Sequence, residues 1–472
     1  MMKSATFGSV LGGRPLVLSH RAAKRVLAQP TTRAALSVEE NAAAPAEVDS
    51  TGPVITKSFC APWKVPEEAE ALALDIMRSG DLFRYNRDDN DSLVSKLEVA
   101  MAEYTGHKYC VAVNSGGSAL FLALMAAGVK DGDKVFSNAL TFGAVPSSIH
   151  HAGGETILID SASDFVCDLE DLEEKCKKNP DVKFFLISHM RGKLADMDAV
   201  ADICGRYGIT LIEDCAHSLG VFWGDKHSGH TGIVSCISTQ AYKMLNSGEG
   251  GVVVTNDELI AAKCIIAAGG YEKLYLKHKA TPSADIFESC GKLKIPNYSM
   301  RMSNLSASVL IPQVDLVEER RQLCNRRYDM VAEILETGAA DVGACIEVPP
   351  QHPKVDPCND SIQFNLSGYT FEQVETYVAA VRARGVPVSI FGSPDNARNY
   401  RTWHFLGDYP MMPKTDMVIK FAIDVRLPPE FTDEDFELMC RCLIAGFEAT
   451  GPPAAKTVIS SNAVSAGTTV HS

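Results

Sequence analysis

The sequence predicts an α/β protein, with a large domain on a mainly parallel sheet followed by a smaller α+β domain. Three observations predict it. Short apolar runs alternate with helical periodicity from Tyr109 to Glu213, and strands that alternate with helices need crossover connections, which make parallel sheets. Lys243 is followed by Gly248, Gly250 and Gly251 and then by Val252-Val253-Val254, the pattern of a loop that lets backbone approach a ligand and then feeds a buried strand. Beyond about Leu316 the alternation ends, and a long amphipathic helix opens a different pattern.

Each segment has its own signal. Residues 1–37 carry Lys3, Arg14, Arg21, Lys24, Arg25 and Arg33 without an acid. That is the composition of an organelle transit peptide, and of a mitochondrial one, since no compact apolar segment stands before a cleavage site. A disordered basic tail and a plastid address are the alternatives. Residues 38–56 read as a linker rich in Ala, Glu and Pro, and residues 450–472 as a disordered tail. Between them, residues 57–316 form the large domain and 317–449 the small one.

Within the large domain, Ala69 to Met77 and Leu93 to Met101 have helical spacing, with Gly80 ending the first helix and Gly80 to Asn86 forming a loop. Strands follow at Tyr109–Val113, Lys134–Ser137, Thr156–Asp160, Phe184–Ser188, Thr210–Glu213 and Ile233–Ser238. Helices Gly117–Ala127, Ala144–His151, Leu169–Lys178 and Met197–Tyr207 separate the first five. In the small domain, Glu318–Thr337, Phe371–Arg384 and Asp433–Phe447 read as helices, and Ser361–Leu366 and Pro387–Phe391 as strands. A loop of that domain, with Phe391-Gly392-Ser393 and Asn396 to Tyr400, is polar and suited to closing over a substrate.

Composition narrows the function. The 472 residues are 46% hydrophobic and 22% charged, enough to bury a large core. A net charge of -14 argues against nucleic acid as a partner. The densest apolar run, Ala119 to Val129, is too short to span a bilayer. The 14 cysteines are scattered through apolar segments without a CxxC pair, so they read as reduced core residues rather than a metal site.

Three segments fall at strand C-terminal ends, where open α/β sheets bind ligands. Asn114-Ser115-Gly116-Gly117-Ser118 opens a helix directly after a strand, and the free helix N-terminal amides with the Ser115 and Ser118 hydroxyls suit a phosphate; a plain helix cap has the same look. Glu213-Asp214-Cys215-Ala216-His217 ends an apolar strand in an acid. A carboxylate beside a pyridine nitrogen keeps that nitrogen protonated and deepens the electron sink of pyridoxal phosphate, although Asp214 also suits a helix cap. The third is the lysine loop. A desolvated lysine there is a Schiff-base nucleophile, whereas a lone lysine is most often solvated. Cradle, acid and lysine come in the order used by fold-type I pyridoxal phosphate enzymes.

Ser115-Gly116-Gly117-Ser118-Ala119-Leu120, Thr141-Phe142, Glu213 to His217, Ser238 with Lys243, Gly248-Glu249-Gly250-Gly251 and Arg301-Met302-Ser303 resemble successive motifs of the DegT/StrS family of sugar aminotransferases. The resemblance runs from about Gly80 to Phe447. It implies a fold-type I transferase in which Lys243 is the Schiff-base lysine and general base and Asp214 partners the pyridine nitrogen. Phe142 would stack on the ring, Gly117, Ser118 and Ser238 would hold the phosphate, and His217 would lie near the 3-hydroxyl. It also implies a homodimer, a glutamate or glutamine donor and a keto sugar nucleotide acceptor.

This sequence departs from the family where Gly117 replaces Thr, His217 replaces Gln and Ser299 replaces the Asn that reaches the partner subunit's phosphate. The segment Gly270 to Lys294 is also longer than usual. A non-sugar keto acid or cyclic ketone is therefore the rival acceptor. A sugar dehydratase is weighed against by the lysine itself, and a non-catalytic cofactor-binding regulator is least favoured. Tyr85, His189, Arg191 and Arg301 are the candidate substrate contacts. For His189 and Arg191 a solvated basic turn is the alternative, and for Arg301, able to grip a carboxylate, a structural role.

Overall fold

The computed structural model describes residues 52–454 apart from 292, 293 and 409. The transit stretch, most of the linker and most of the tail lie outside the described residues, which belong to one compact unit.

Seven strands make the central sheet: β1 (Tyr109–Val113), β2 (Lys134–Asn138), β3 (Glu155–Ile159), β4 (Phe184–Ser188) and β5 (Thr210–Asp214). After a short hairpin, β6 (Phe222–Trp223) and β7 (Lys226–His227), come β8 (Val234–Ser238) and β9 (Gly251–Thr255). Their order is β1-β9-β8-β5-β4-β2-β3. Strands β3, β2, β4, β5 and β8 are parallel neighbours, as the alternation requires. Strand β9 alone runs the other way, antiparallel to both β8 and β1. The lysine loop contains no crossover helix, so the chain leaving β8 returns directly alongside it, and a direct return is antiparallel.

Every residue of β8 and β9 is buried, and alternate residues of the sheet feed different cores. Val111, Leu186, Ile212 and Val253 face one cluster, and Ala112, Ile187, Leu211 and Val252 the other. Both faces are thus covered, which explains the continuous apolar runs.

The helices begin and end where local chemistry says they should. α1 (Glu67–Ser79) stops at Gly80 with φ 72°, and α2 (Leu93–Thr105) is capped by the Ser92 hydroxyl. α3 (Gly116–Ala127) starts on the Ser115 side chain, which accepts the Ser118 N–H. α4 (Ala144–His151) follows Phe142; α5 (Leu169–Lys178), α6 (Met197–Tyr207) and α7 (Glu258–Ala268) are capped by Asp168, Asp196 and Asp257. Among the described residues no helix is long and apolar enough to cross a membrane, and the cysteines are free and mostly buried.

After the 25-residue helix Val317–Asp341 come β10 (Ile346–Glu347), β11 (Val355–Asp356), β12 (Ser361–Leu366), β13 (Ser389–Ile390) and β14 (Ala422–Arg426). Four of them form an antiparallel sheet in the order β10-β12-β14-β13, while β11 joins the β6–β7 hairpin. Helices Phe371–Ala383 and Asp433–Thr450, both begun by capping boxes, cover it around Phe364, Tyr377, Phe436 and Leu443. The expected strand at Pro387–Phe391 shortens to two residues, and β14 was not anticipated, because the polar Asp424 and Arg426 break its apolar run.

Candidate active site

The cleft beside the ends of β5 and β8 is a cavity of about 700 Å³. It is lined by the start of α3, the segments that follow β4 and β5, the lysine loop, and β14 with its neighbouring loop.

Two glycines let the backbone close in at the α3 end. A Cβ on Gly116 would lie 2.9 Å from the Ser238 Cβ, and one on Gly251 would lie 2.7 Å from the Ser115 carbonyl oxygen. At Gly117 a Cβ would find its nearest neighbour 3.9 Å away, so there is room for a side chain at this position. Ser115, Gly116 and Gly117 line the cavity, and the first-turn amides there are a ready anion cradle. Ser118 sits behind them, its hydroxyl donating to Asn114 Oδ1 at 2.7 Å.

Asp214 ends β5, directly opposite Ser188 of β4 in the parallel register. Its Oδ2 accepts from the Ser188 hydroxyl at 2.8 Å and its Oδ1 from the Ala216 N–H at 3.1 Å. Thr141 Oγ1 in turn donates to Ser188 Oγ at 2.7 Å, and the Asn138 side chain bonds both the N–H and the carbonyl of Ser188, at 2.9 and 3.0 Å. This relay fixes the carboxylate's rotamer. The sequence reading missed Ser188 and Asn138, whose only signal is their place at the ends of strands adjacent to β5.

The lysine reaches the cavity from the β8–β9 return. Its loop is held by Thr239 N–H to the Gly250 carbonyl at 3.0 Å and Ser247 N–H to the Thr239 carbonyl at 2.9 Å. Lys243 Nζ lies 2.8 Å from His217 Nε2. Burial pulls the amine down to about 7, Arg191 adding to the effect and Asp214 resisting it. Burial, and then the Lys243 charge, drive His217 well below its ordinary value. A neutral imidazole then accepts at Nε2 and carries its proton on Nδ1, which is buried without a protein partner. An amine with this value loses its proton as pH rises through about 7, not through the ordinary lysine range. Covalent capture of a carbonyl reagent by the cofactor-free chain should therefore rise with a midpoint near pH 7. Borohydride trapping followed by mass spectrometry checks this, and a midpoint above 9 would show a solvated lysine.

Lys243, Asp214, His217, Phe142, Gly117, Ser238 and Arg191 thus meet in one cavity. Arg191 occupies a left-handed position with φ 56° and pairs with Asp424 of β14. Besides Ser118, four other candidates lie off its lining. Tyr85 is buried, with its hydroxyl 2.8 Å from His278 Nε2. There it joins an ionic cluster in which Arg84 binds Glu98 through two bonds of 2.7 and 2.8 Å and His278 Nδ1 lies 2.9 Å from the same carboxylate. His189 is turned under the sheet, 2.8 Å from Glu213. Arg301 packs against Gly269, with its guanidinium 5.6 Å from the Phe83 ring. Ser299 stands on an exposed turn at φ 55°. Burial and pairing, invisible in one sequence, decide the first three. His189, Glu213 and Cys215 have metal-ligand spacing, but Glu213 is already engaged by His189 and by the Gly229 and Gly232 N–H groups.

These residues fit pyridoxal phosphate. The amide cradle suits a phosphate, Asp214 keeps lone pairs for a ring N–H, a readily deprotonated amine faces the cavity, and the orphaned His217 Nδ1 is a donor without an acceptor. Fold and cleft together define a pyridoxal phosphate-dependent aminotransferase of fold type I. The chain belongs to the DegT/DnrJ/EryC1/StrS aminotransferase family, which matches residues 67–444.

Among curated relatives, the chain is 30% identical over 273 residues to the pleiotropic regulatory protein of Geobacillus stearothermophilus, covering 57% of this chain and 69% of that protein. It is 29% identical over 338 residues to the 3-amino-5-hydroxybenzoate synthase of Amycolatopsis mediterranei, covering 69% of this chain and 79% of that protein. Several further relatives are matched over less than two thirds of their length. A crystal structure of 3-amino-5-hydroxybenzoic acid synthase superposes with a TM-score of 0.70 at 22% identity, covering 84% of this chain and 99% of that one.

Proposed function

We propose that the protein transfers an amino group from glutamate or glutamine to a keto acceptor, which by family default is a keto sugar nucleotide. The observation that carries the reading is the half-buried Lys243 amine, drawn down to about 7, facing the same cavity as Asp214 and the α3 cradle. When bound, pyridoxal phosphate supplies a carbonyl for amines and an electron sink for the carbanion formed by proton loss. The cradle amides and the Ser238 hydroxyl would hold its phosphate, and Asp214, oriented by Ser188 and Thr141, would accept the ring N–H. Phe142 would cover one ring face. Lys243 near its titration midpoint both takes and returns a proton, the match a general acid–base needs.

A second acceptor class, a cyclic non-sugar ketone, is favoured by the 3-amino-5-hydroxybenzoate synthase, which aligns with more of this chain than the first regulatory relative does. We further infer a homodimer and mitochondrial import, from the resemblance and the basic N-terminus. Sedimentation at the mass of one chain would refute the former, and an uncleaved cytosolic fusion the latter. The test of the central reading is the visible spectrum of the protein with cofactor, before and after glutamate. The visible absorption band of the lysine-bound cofactor should bleach as the amino form accumulates. A band indifferent to glutamate and glutamine would remove the donor assignment, and no band would remove the function.

A further inference from the structure

Three arginines line the cleft, and they are not in the same state. Arg191 is neutralised by Asp424, whose other oxygen accepts from Gln363 Nε2 at 2.9 Å. Arg398 and Arg426 have no carboxylate within ion-pairing distance and no side-chain hydrogen bond among the described residues, and the Arg398 Nε is buried without a partner. Burial pulls Arg398 down to about 10 and Arg426 below its ordinary value, the response of cations that have lost water without gaining an anion.

Each nevertheless lies over an aromatic ring. The Arg398 guanidinium lies 5.5 Å from the centre of the Phe142 ring and that of Arg426 4.6 Å from the centre of the Tyr242 ring. Stacking fixes a guanidinium plane while leaving its N–H edges free, and those edges match a carboxylate bidentately. The backbone that carries Arg398 is anchored too, since the Ala397 carbonyl accepts from Gly143 N–H at 2.9 Å and Trp403 Nε1 at 3.0 Å. Asp424, already paired with Arg191, and Asp360 both act on Arg398 from a distance, Asp360 also acts on Arg426, and Glu249, also on the lining, is exposed. Three arginine cations, all half-buried, against the carboxylates of Asp424 and Asp360 leave room for a singly charged anion, and a phosphate dianion would overfill the balance.

We propose that Arg398 and Arg426, stacked on Phe142 and Tyr242, form a carboxylate-binding subsite of the cleft that takes the acid group of either the amino donor or the keto acceptor. This rests on the transaminase reading above. It narrows the acceptor class, because a donor-independent subsite means a carboxylated acceptor.

Calorimetric titration of the cofactor-loaded protein with glutarate, which cannot react, tests it, with UDP as the phosphate probe. In R398M and R426M the glutarate affinity should fall about tenfold or more, the loss of a charge-assisted bond. R398K and R426K, which keep the charge without the fork, should recover only part of it. Thermal melts and an unchanged cofactor band establish that each variant is folded. If the KM for glutamate rises in step in the first half-reaction, the subsite serves the donor. If it stays while glutarate binding is lost, the subsite serves the acceptor. Glutarate affinity that is absent in the wild type or equal in the variants overturns the subsite, as does arginine-dependent binding of UDP in place of glutarate. Arginine-dependent glutarate binding without any response to glutamate or glutamine would instead sink the transaminase reading and leave the subsite standing.

Discussion

Lys243→Ala should abolish amine transfer, with kcat for the glutamate half-reaction falling by more than about 10³-fold, near the upper range for loss of a positioned proton-transfer group. The fold should survive. The lysine's aliphatic stem sits on a loop whose bonds are made by backbone and by Thr239 and Ser247, not by its amine, and removing a desolvated amine relieves a burial cost. Stopped-flow absorbance after adding glutamate to cofactor-loaded variant, with circular dichroism alongside, checks both halves. Turnover within tenfold of wild type would place the proton transfer elsewhere, and His217, 2.8 Å from the amine, would be the group to examine.

Glu98→Gln should cost about 3–5 kcal/mol of stability, the scale for breaking a buried ion pair and leaving its partner charged. Glu98 and Arg84 are both 2% exposed, and the carboxylate also meets His278 and the Ala112 N–H, the latter at 2.9 Å. The midpoint of urea unfolding reads the loss. Despite burial, the Arg84 and His278 neighbours hold the Glu98 carboxyl down to about 2. Because its folded value lies below the unfolded one, the stabilisation is complete above the ordinary glutamate range and is lost as pH falls from about 4 toward 2. The wild-type stability should therefore drop across that window more than that of Glu98→Gln, and parallel pH profiles would refute the assignment.

Much of this architecture was legible in the residues. Strands Tyr109–Val113 and Phe184–Ser188 and helices Ala144–His151, Leu169–Lys178 and Met197–Tyr207 fall where periodicity and caps put them, because strand, cap and glycine signals are local. The cleft residues from Gly117 through Lys243 were also legible, since they sit at strand ends and helix starts, positions a linear pattern reveals. What escaped depends on neighbours distant in sequence. The Ser188–Thr141 relay exists only because β4 and β5 are in register. Tyr85 looked like a loop residue free to meet substrate until His278, 193 positions away, took its hydroxyl. Arg426 gave no sign, for a charge at the end of a short strand reads as a surface residue until the ring of Tyr242 lies beneath it.

The reversed strand carries a last consequence. Ser238 and Gly251, the two ends of the lysine loop, are paired partners on adjacent strands of the central sheet, so the loop is in effect a closed ring stapled to the most buried part of the molecule. Its length cannot drift without shifting the register of β9 against β1. The described residues of the segment 270–294 form no strand pairing and are tied in by side chains such as His278 instead. Divergence in this protein is thus partitioned by topology. New acceptors can be sampled through segments hung on the rim, while the ring that presents the amine is inherited whole.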